Sequence, residues 1–538
     1  MEATREGEAP SEPDFWTLDS YTAKIVLQNE PCARTAARRG KPLPLWQRHP
    51  GAEWRVRKGR ALASPKRPSF VPGKAGIERN RRLDSRPGLL SAGVTFFRGN
   101  DNHLKFQTRM FLLDIQRIVP GGRGIGFHQG QAVFAPLAVP GDHLEVLRWT
   151  DRKGYLEVLE SRLILPSPER VSPPCSYFGS CGGCDFQQMS GSQQLAAKQD
   201  ILIDALRRVG KIQVEAQQIR LHACELSSYR NRLQLKPVQH GEGLSWGFYK
   251  TGSHEVCAVE TCLIASKALW EQLEILRQEF ARLPQIAARL DEVEVFWGDD
   301  QECLVTLTLR DVPRDFNEIL SQMESAKESL ASHGFSVSLI DSKQQSHLLC
   351  GPGFVWKTVG GFRYRVSHGA FFQVNDPILS ELQSTATLGL AGQSALELFC
   401  GVGFFTIPLS RNFDQVEVVE GNPFAVEDLE ENLRGNLVEN CRVAGSDLSA
   451  ALGAGRWRAG QFDLLFIDPP RSGLPKTTVE AIAHLNCPNF VYVSCDPATL
   501  ARDLRILLSS GYEIVSLDLL DLFPQTHHLE TIARLRKP

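Results

Sequence analysis

Apolar residues recur along this chain with two different periods, and the change of period divides it. Between about 107 and 165 they alternate with polar ones, in "RMFLLDIQRIV", in the Gly-containing hairpin "GIGFHQGQAVFAP", and in two strands around a charged turn, "DHLEVLRWTDRKGYLEVLESRLI". Short strands this closely spaced predict a small OB-type β-barrel over 105–167. Helical spacing then appears in "SQQLAAKQDILIDALRRVGKI". The stretch that follows is mixed, with strands "EVEVFWG" and "ECLVTLTLRDV" and the helix "FNEILSQMESAKESLASHG". A mixed α+β central domain over 168–365 accounts for it. From 366 to 538 strands and helices alternate, as in a doubly wound, Rossmann-like α/β domain. Residues 1–104 carry no period; "RHPGAEWRVRKGRALASPKRPSFVPGKAG" is basic and rich in Pro and Gly, which predicts a disordered extension. Translation from Met110, where patterning begins, is the alternative, and the mass of the native N-terminus would decide between them.

Composition adds exclusions. A net charge of −2 over 538 residues gives no global polyanion-binding signature, so a nucleic-acid surface would have to be a local patch. No apolar run approaches the roughly 18 residues of a membrane span. The opening "MEATREGEAPSEPDFW" has no basic stretch leading into an apolar one, so no secretory leader is expected. With 13 cysteines and no export signal, metal or catalytic roles are favoured over disulfides. A cytoplasmic monomer with no membrane partner is the expectation.

The cysteines are not spread evenly. "PPCSYFGSCGGCDFQQ" places Cys175, Cys181 and Cys184 within ten residues of one another, with two glycines allowing a tight loop. A fourth thiolate could come from Cys257 or Cys262 in "EVCAVETC". Four thiolates suit tetrahedral zinc or a [4Fe–4S] cluster equally. The spacing differs from that of clusters with one open iron, which points to a closed, structural site.

In the α/β stretch, "SALELFCGVGFFTIPLS" reads as strand, Gly-rich turn, helix. The next strand ends at Glu420, an acid placed to hold ribose hydroxyls. No third glycine or basic set for a pyrophosphate follows, so a nucleoside ligand such as S-adenosylmethionine fits better than a dinucleotide. Asp447 falls where a third strand would end, and Asp468, in "IDPPRSGL", closes a fourth. "NFVYVSCDPATLARDL" then sets Cys495 between a strand end and a helix whose N-cap is Asp496 and whose first residue is Pro497. A helix N-terminus there is expected to lower the thiol's pKa. Glu530 immediately precedes a final β-like run and could share the crevice.

Together these motifs resemble the RNA uracil-C5 methyltransferases of the RumA/TrmA group, most nearly its RumA-like 23S rRNA branch. The resemblance runs from about 107 to 538 and rests on "PPCSYFGSCGGCDFQQ", "SYRNRLQL", "GAFFQVN", "LELFCGVGFFT", "DPPRSGL", "VYVSCDPATLARDL" and "FPQTHHLE". It implies that the barrel is a TRAM domain and that Cys175, Cys181, Cys184 and Cys262, not Cys257, hold a [4Fe–4S] cluster. It further implies that Gln373, Phe399, Phe404, Glu420, Asp447 and Asp468 line the S-adenosylmethionine pocket. Cys495 matches the family nucleophile and Glu530 the family base. Asp496 stands where Asn is usual and Glu397 where Asp is common; both keep a capping or polar role.

The chemistry accounts for the cysteine. Uracil C5 is a poor nucleophile until a thiolate adds at C6 and makes it enolate-like. A base must later remove the C5 proton. A 23S rRNA substrate is favoured over tRNA, because enzymes of the tRNA branch generally lack the barrel and the cysteines. A non-catalytic RNA-binding module is the reading from another class.

Overall fold

Alternation in the first patterned stretch is satisfied within one sheet. In the computed structural model its seven strands lie between Phe106–Gln107 and Tyr155–Leu165. Leu113, Val133, Leu144, Val146, Trp149 and Leu156 turn inward to form its core. Gln129 and Gly130, both at positive φ, turn the hairpin between Arg123–His128 and Gln131–Ala135 in two residues. The structure describes residues 106–107, 110–240, 243–310, 316–340, 346–444, 448–453 and 455–538. The expected extension 1–104 and Asp447 lie outside the described residues.

A second seven-stranded sheet runs from Val256–Val259 at one edge, through Arg232–His240 and Leu290–Trp297, to Ser346–Cys350 at the other. The helices Lys267–Ala281 and Phe316–Ser332 supply Leu269, Leu273, Leu276, Phe280, Ile319, Met323 and Leu330 to its core. Ser266 caps the first of them by accepting from the Leu269 N–H.

The third sheet has eight strands in the order Cys441–Val443, Phe413–Val419, Gly392–Leu398, Leu464–Ile467, Asn489–Ser494, Glu530–Arg536, Glu513–Leu520, Ile219–His222. Leu464–Ile467 is apolar at every position, and Asn489–Ser494 is buried from Phe490 to Val493, because both faces are covered. Leu464, Phe466, Val491 and Val493 point to one core, and Leu465, Ile467, Phe490 and Tyr492 to the other. Its last edge strand comes from far upstream, and the helix Gly191–Ala205 packs on Pro497–Ser509 nearby.

One strand runs against the rest. Among the described residues, Glu530–Arg536 alone is antiparallel to its neighbours in this sheet, while the other pairings are parallel. Its first residue therefore lies at the end of the sheet where the parallel strands have their last. Among the described residues no helix is long and apolar enough to cross a membrane.

Candidate active site

The carboxyl ends of the parallel strands open on a crevice, the usual place for a ligand in an open α/β sheet. After Gly392–Leu398 the chain turns through Phe399 (φ 62), Gly401 (φ 55) and Gly403 (φ 93). A Cβ added at Gly403 would meet Leu429 Cδ1 at 2.7 Å, so glycine is required where the turn packs on the helix Pro423–Gly435. A Cβ at Gly401 or Gly421 would meet nothing within 4 Å; the turn faces open space on either side of Glu420. The Glu420 carboxylate accepts from the Gly401 N–H (2.9 Å) and the Asn422 N–H (2.7 Å) and so ties the two turns together. Glu397 is buried under the turn and accepts from Thr406 Oγ1 at 2.6 Å. Burial pushes its carboxyl up to about 8.

Cys495 follows the strand Asn489–Ser494 directly. Asp496 then caps the helix Pro497–Ser509, accepting from the Ala498 N–H (3.0 Å) and the Thr499 N–H (2.8 Å). Ser494 pairs with Thr531 in the antiparallel ladder, and one further step of that register sets Cys495 opposite Glu530. Asp468 follows the adjacent strand Leu464–Ile467. Cys495, Glu530 and Asp468 lie near enough for each carboxylate to act on the thiol. Gln373 is buried. Phe404 belongs to the core beneath, with its ring against Tyr364, Phe372 and Phe405.

The other cluster forms a separate cavity. Cys175, Cys181, Cys184 and Cys262 line it together with Tyr177, Phe178 and Arg230, and Cys257 does not. Among the described residues no three His, Cys, Asp or Glu side chains converge on a point where a single metal ion could sit.

Residues 190–537 match the model of the tRNA (uracil-5-)-methyltransferase family. The chain belongs to that family. A 23S rRNA (uracil(1939)-C(5))-methyltransferase, RlmD, from Pseudomonas putida is 34% identical over 426 residues, 78% of this chain and 92% of that protein. An uncharacterized RNA methyltransferase from Aquifex aeolicus is 33% identical over 428 residues, 79% of this chain and 97% of that one. The solved tRNA (uracil-54, C5)-methyltransferase from Pyrococcus abyssi, in complex with S-adenosyl-L-homocysteine, superposes with a TM-score of 0.60 at 22% identity. It covers 79% of this chain and 100% of its own, a likeness of fold.

The protein is thus an S-adenosylmethionine-dependent RNA uracil-C5 methyltransferase. In this methyltransferase the crevice is electrostatically unlike what the helix cap alone predicts. The expected fall in the Cys495 pKa is overturned: burial, then the Glu530 charge facing it, push the thiol well up. Burial penalises the charged thiolate, and the Glu530 and Asp468 carboxylates add to that penalty. Burial also raises Asp468, to about 7, and lifts Glu530 far above the ordinary carboxylate range, with the Asp468 charge adding to it. Two buried carboxylates in one crevice cannot both ionise freely.

The sequence reading of the methyltransferase gave no role to Arg471 or His528, two residues on the segments that carry Asp468 and Glu530. Arg471 is exposed on the turn that follows Asp468, and its charge opposes the rise of both Cys495 and Glu530. His528 is held neutral, its pKa driven well down by burial and then by the charge of His527. Arg471 could have been found from Asp468, since both lie in "DPPRSGL". His528 had no such signal beyond its place before Glu530.

Proposed function

We propose that this methyltransferase modifies C5 of a uracil in 23S rRNA, with Cys495 as nucleophile and Glu530 as base. The observation that carries the reading is the antiparallel strand, which brings Glu530 opposite Cys495 at the crevice. The target base leaves its stack to reach them. Cys495 adds to C6, and C5 becomes nucleophilic. S-adenosylmethionine, when bound, supplies a sulfonium methyl group. Glu530 then takes the C5 proton and Cys495 is eliminated.

Gln373, Phe399, Phe404, Glu420, Asp447 and Asp468 are assigned to the S-adenosylmethionine pocket. Open space above Gly401 and Gly421 supports room for a nucleoside beside Glu420. Cys175, Cys181, Cys184 and Cys262 are assigned to a [4Fe–4S] cluster, which would tie the segment before Gly191 to the central sheet. Four thiols around one cavity support a thiolate-held metal there, and the family resemblance favours the cluster over zinc. The N-terminal sheet is read as a TRAM barrel and the C-terminal one as a Rossmann-like domain, in a cytoplasmic monomer.

The rRNA assignment is supported by curated relatives named as 23S rRNA enzymes, whose length this chain spans by nine-tenths or more. A tRNA substrate is the second reading, favoured by the Pyrococcus neighbour. RNA carrying 5-fluorouridine, offered as separate rRNA and tRNA pools with S-adenosylmethionine, tests both. Fluorine cannot leave as a proton does, so an adduct on the Cys495 peptide is expected from the rRNA pool. An adduct from tRNA alone reverses the substrate, and none from either pool removes Cys495 from the mechanism.

A further inference from the structure

Glu530 is the first residue of its strand, so the ladder holds it from one side only. The chain before it, Asp521 to Leu529, is held by other elements. Lys198, on the helix Gly191–Ala205, is fully buried; it donates to Asp521 Oδ1 at 2.5 Å and to the Phe523 carbonyl at 2.9 Å. Gln194, one turn earlier and also buried, accepts from the Gln525 N–H (2.8 Å) and donates to Gln525 Oε1 (3.0 Å). Tyr229, buried, donates its hydroxyl to the Pro524 carbonyl at 2.9 Å. The N–H groups of Asp185 and Phe186 both donate to the Gln525 carbonyl at 3.0 Å. Gln525 itself sits at φ 68, a left-handed conformation a non-glycine residue keeps only when its surroundings enforce it. Leu529 is buried among Ile118, Phe186, Met189 and Ile201.

Cys495 has none of these supports. Its strand is interior to the sheet, and Asp496 caps the helix that follows. The two reacting side chains are therefore positioned by separate machinery.

We propose that Gln194, Lys198 and Tyr229 are positioning residues for proton removal: they hold Asp521 to Leu529 so that Glu530 meets the C5 hydrogen, without setting Cys495. The proposal rests on the reading of Glu530 as base. The step it governs is the last one. Glu530 takes the C5 proton, the C–H electron pair closes the C5–C6 double bond, and the C6–S bond breaks with its pair leaving on the Cys495 thiolate. Loosening this support should stall the enzyme after methyl transfer, as a covalent RNA adduct.

The experiment uses the full chain carrying Gln194→Met and Tyr229→Phe, which remove hydrogen bonds and nearly keep shape. Two readouts are compared with those of the unsubstituted protein: turnover with adduct formation on ordinary uridine RNA, and the initial rate of trapping by 5-fluorouridine RNA. Turnover should fall by about tenfold or more, with adduct visible on denaturing gels, while trapping stays within about threefold. A fall in both rates together, a fall in turnover without adduct, or no change in either overturns the proposal. If the pair lowers expression, Tyr229→Phe alone, the loss of one oxygen atom, is read by the same criteria. Glu530→Gln separates the two readings. Adduct in Glu530→Gln but not in the support variant defeats the support alone; no adduct in Glu530→Gln defeats the base assignment, and this proposal with it.

Discussion

Glu530 reaches Cys495 because its strand runs the wrong way. The parallel strands Gly392–Leu398, Phe413–Val419, Leu464–Ile467 and Asn489–Ser494 end at the crevice; Glu530–Arg536 begins there, across the ladder from Ser494 and Cys495. The Glu530 charge opposes ionisation of Cys495, the Asp468 charge opposes that of Glu530, and both groups carry raised pKa values with burial the larger cause in each. The sign for catalysis follows. Glu530 accepts a proton only when ionised, and Cys495 attacks only as thiolate, so both active forms are lost as pH falls. The single-turnover rate should therefore still be climbing with pH where ordinary carboxylates are already fully ionised. A pH–rate profile already flat at about pH 5 would contradict this.

Removing the nucleophile should separate chemistry from binding. Cys495→Ala is expected to abolish turnover, and S-adenosylmethionine affinity should change by no more than a few fold. The turn at Gly401 and Gly403 and the acid at Glu420 are built from other strands. Calorimetric titration beside an activity assay decides it. Residual turnover would take Cys495 out of the mechanism.

The crevice could be read from the sequence wherever a local rule marked a strand end. The glycines after Leu398, the Asp496-Pro497 cap and the double proline after Asp468 each announce a turn at the sheet's edge. The cysteines were legible as a group; spacing left Cys257 and Cys262 equivalent, the family resemblance chose Cys262, and the cavity is lined by Cys262 and not by Cys257. Two features were not legible. The edge strand Ile219–His222 joins its sheet from far upstream, and four residues carry no periodicity strong enough to say so. The balance of fields around Cys495 was misjudged, because the helix cap is local in sequence while Glu530 and Asp468 arrive through tertiary pairing.

The Lys198–Asp521 pair predicts an uneven mutational cycle. Both side chains are essentially excluded from solvent, at 0% and 3% exposure. Lys198→Met leaves Asp521 buried without its cation and should cost about 3–5 kcal/mol. Adding Asp521→Leu removes the orphaned charge and should recover a large part of that loss. Denaturant unfolding of the single and double variants measures the difference. Equal destabilisation by both would mean that the pair is solvated in the native protein.

The two candidate fourth thiols make opposite predictions for metal content. Cys262 lines the cavity with Cys175, Cys181 and Cys184, while Cys257 lies on the edge strand Val256–Val259 outside that lining. Cys262→Ala should therefore lose iron and the broad absorbance near about 400 nm expected of a thiolate-held cluster in anaerobically purified protein. Cys257→Ala should keep both. The reverse result would assign the fourth ligand to Cys257 and require the strand to rotate its side chain inward. Zinc at one equivalent in the unsubstituted protein, with no iron, would replace the cluster by a single ion.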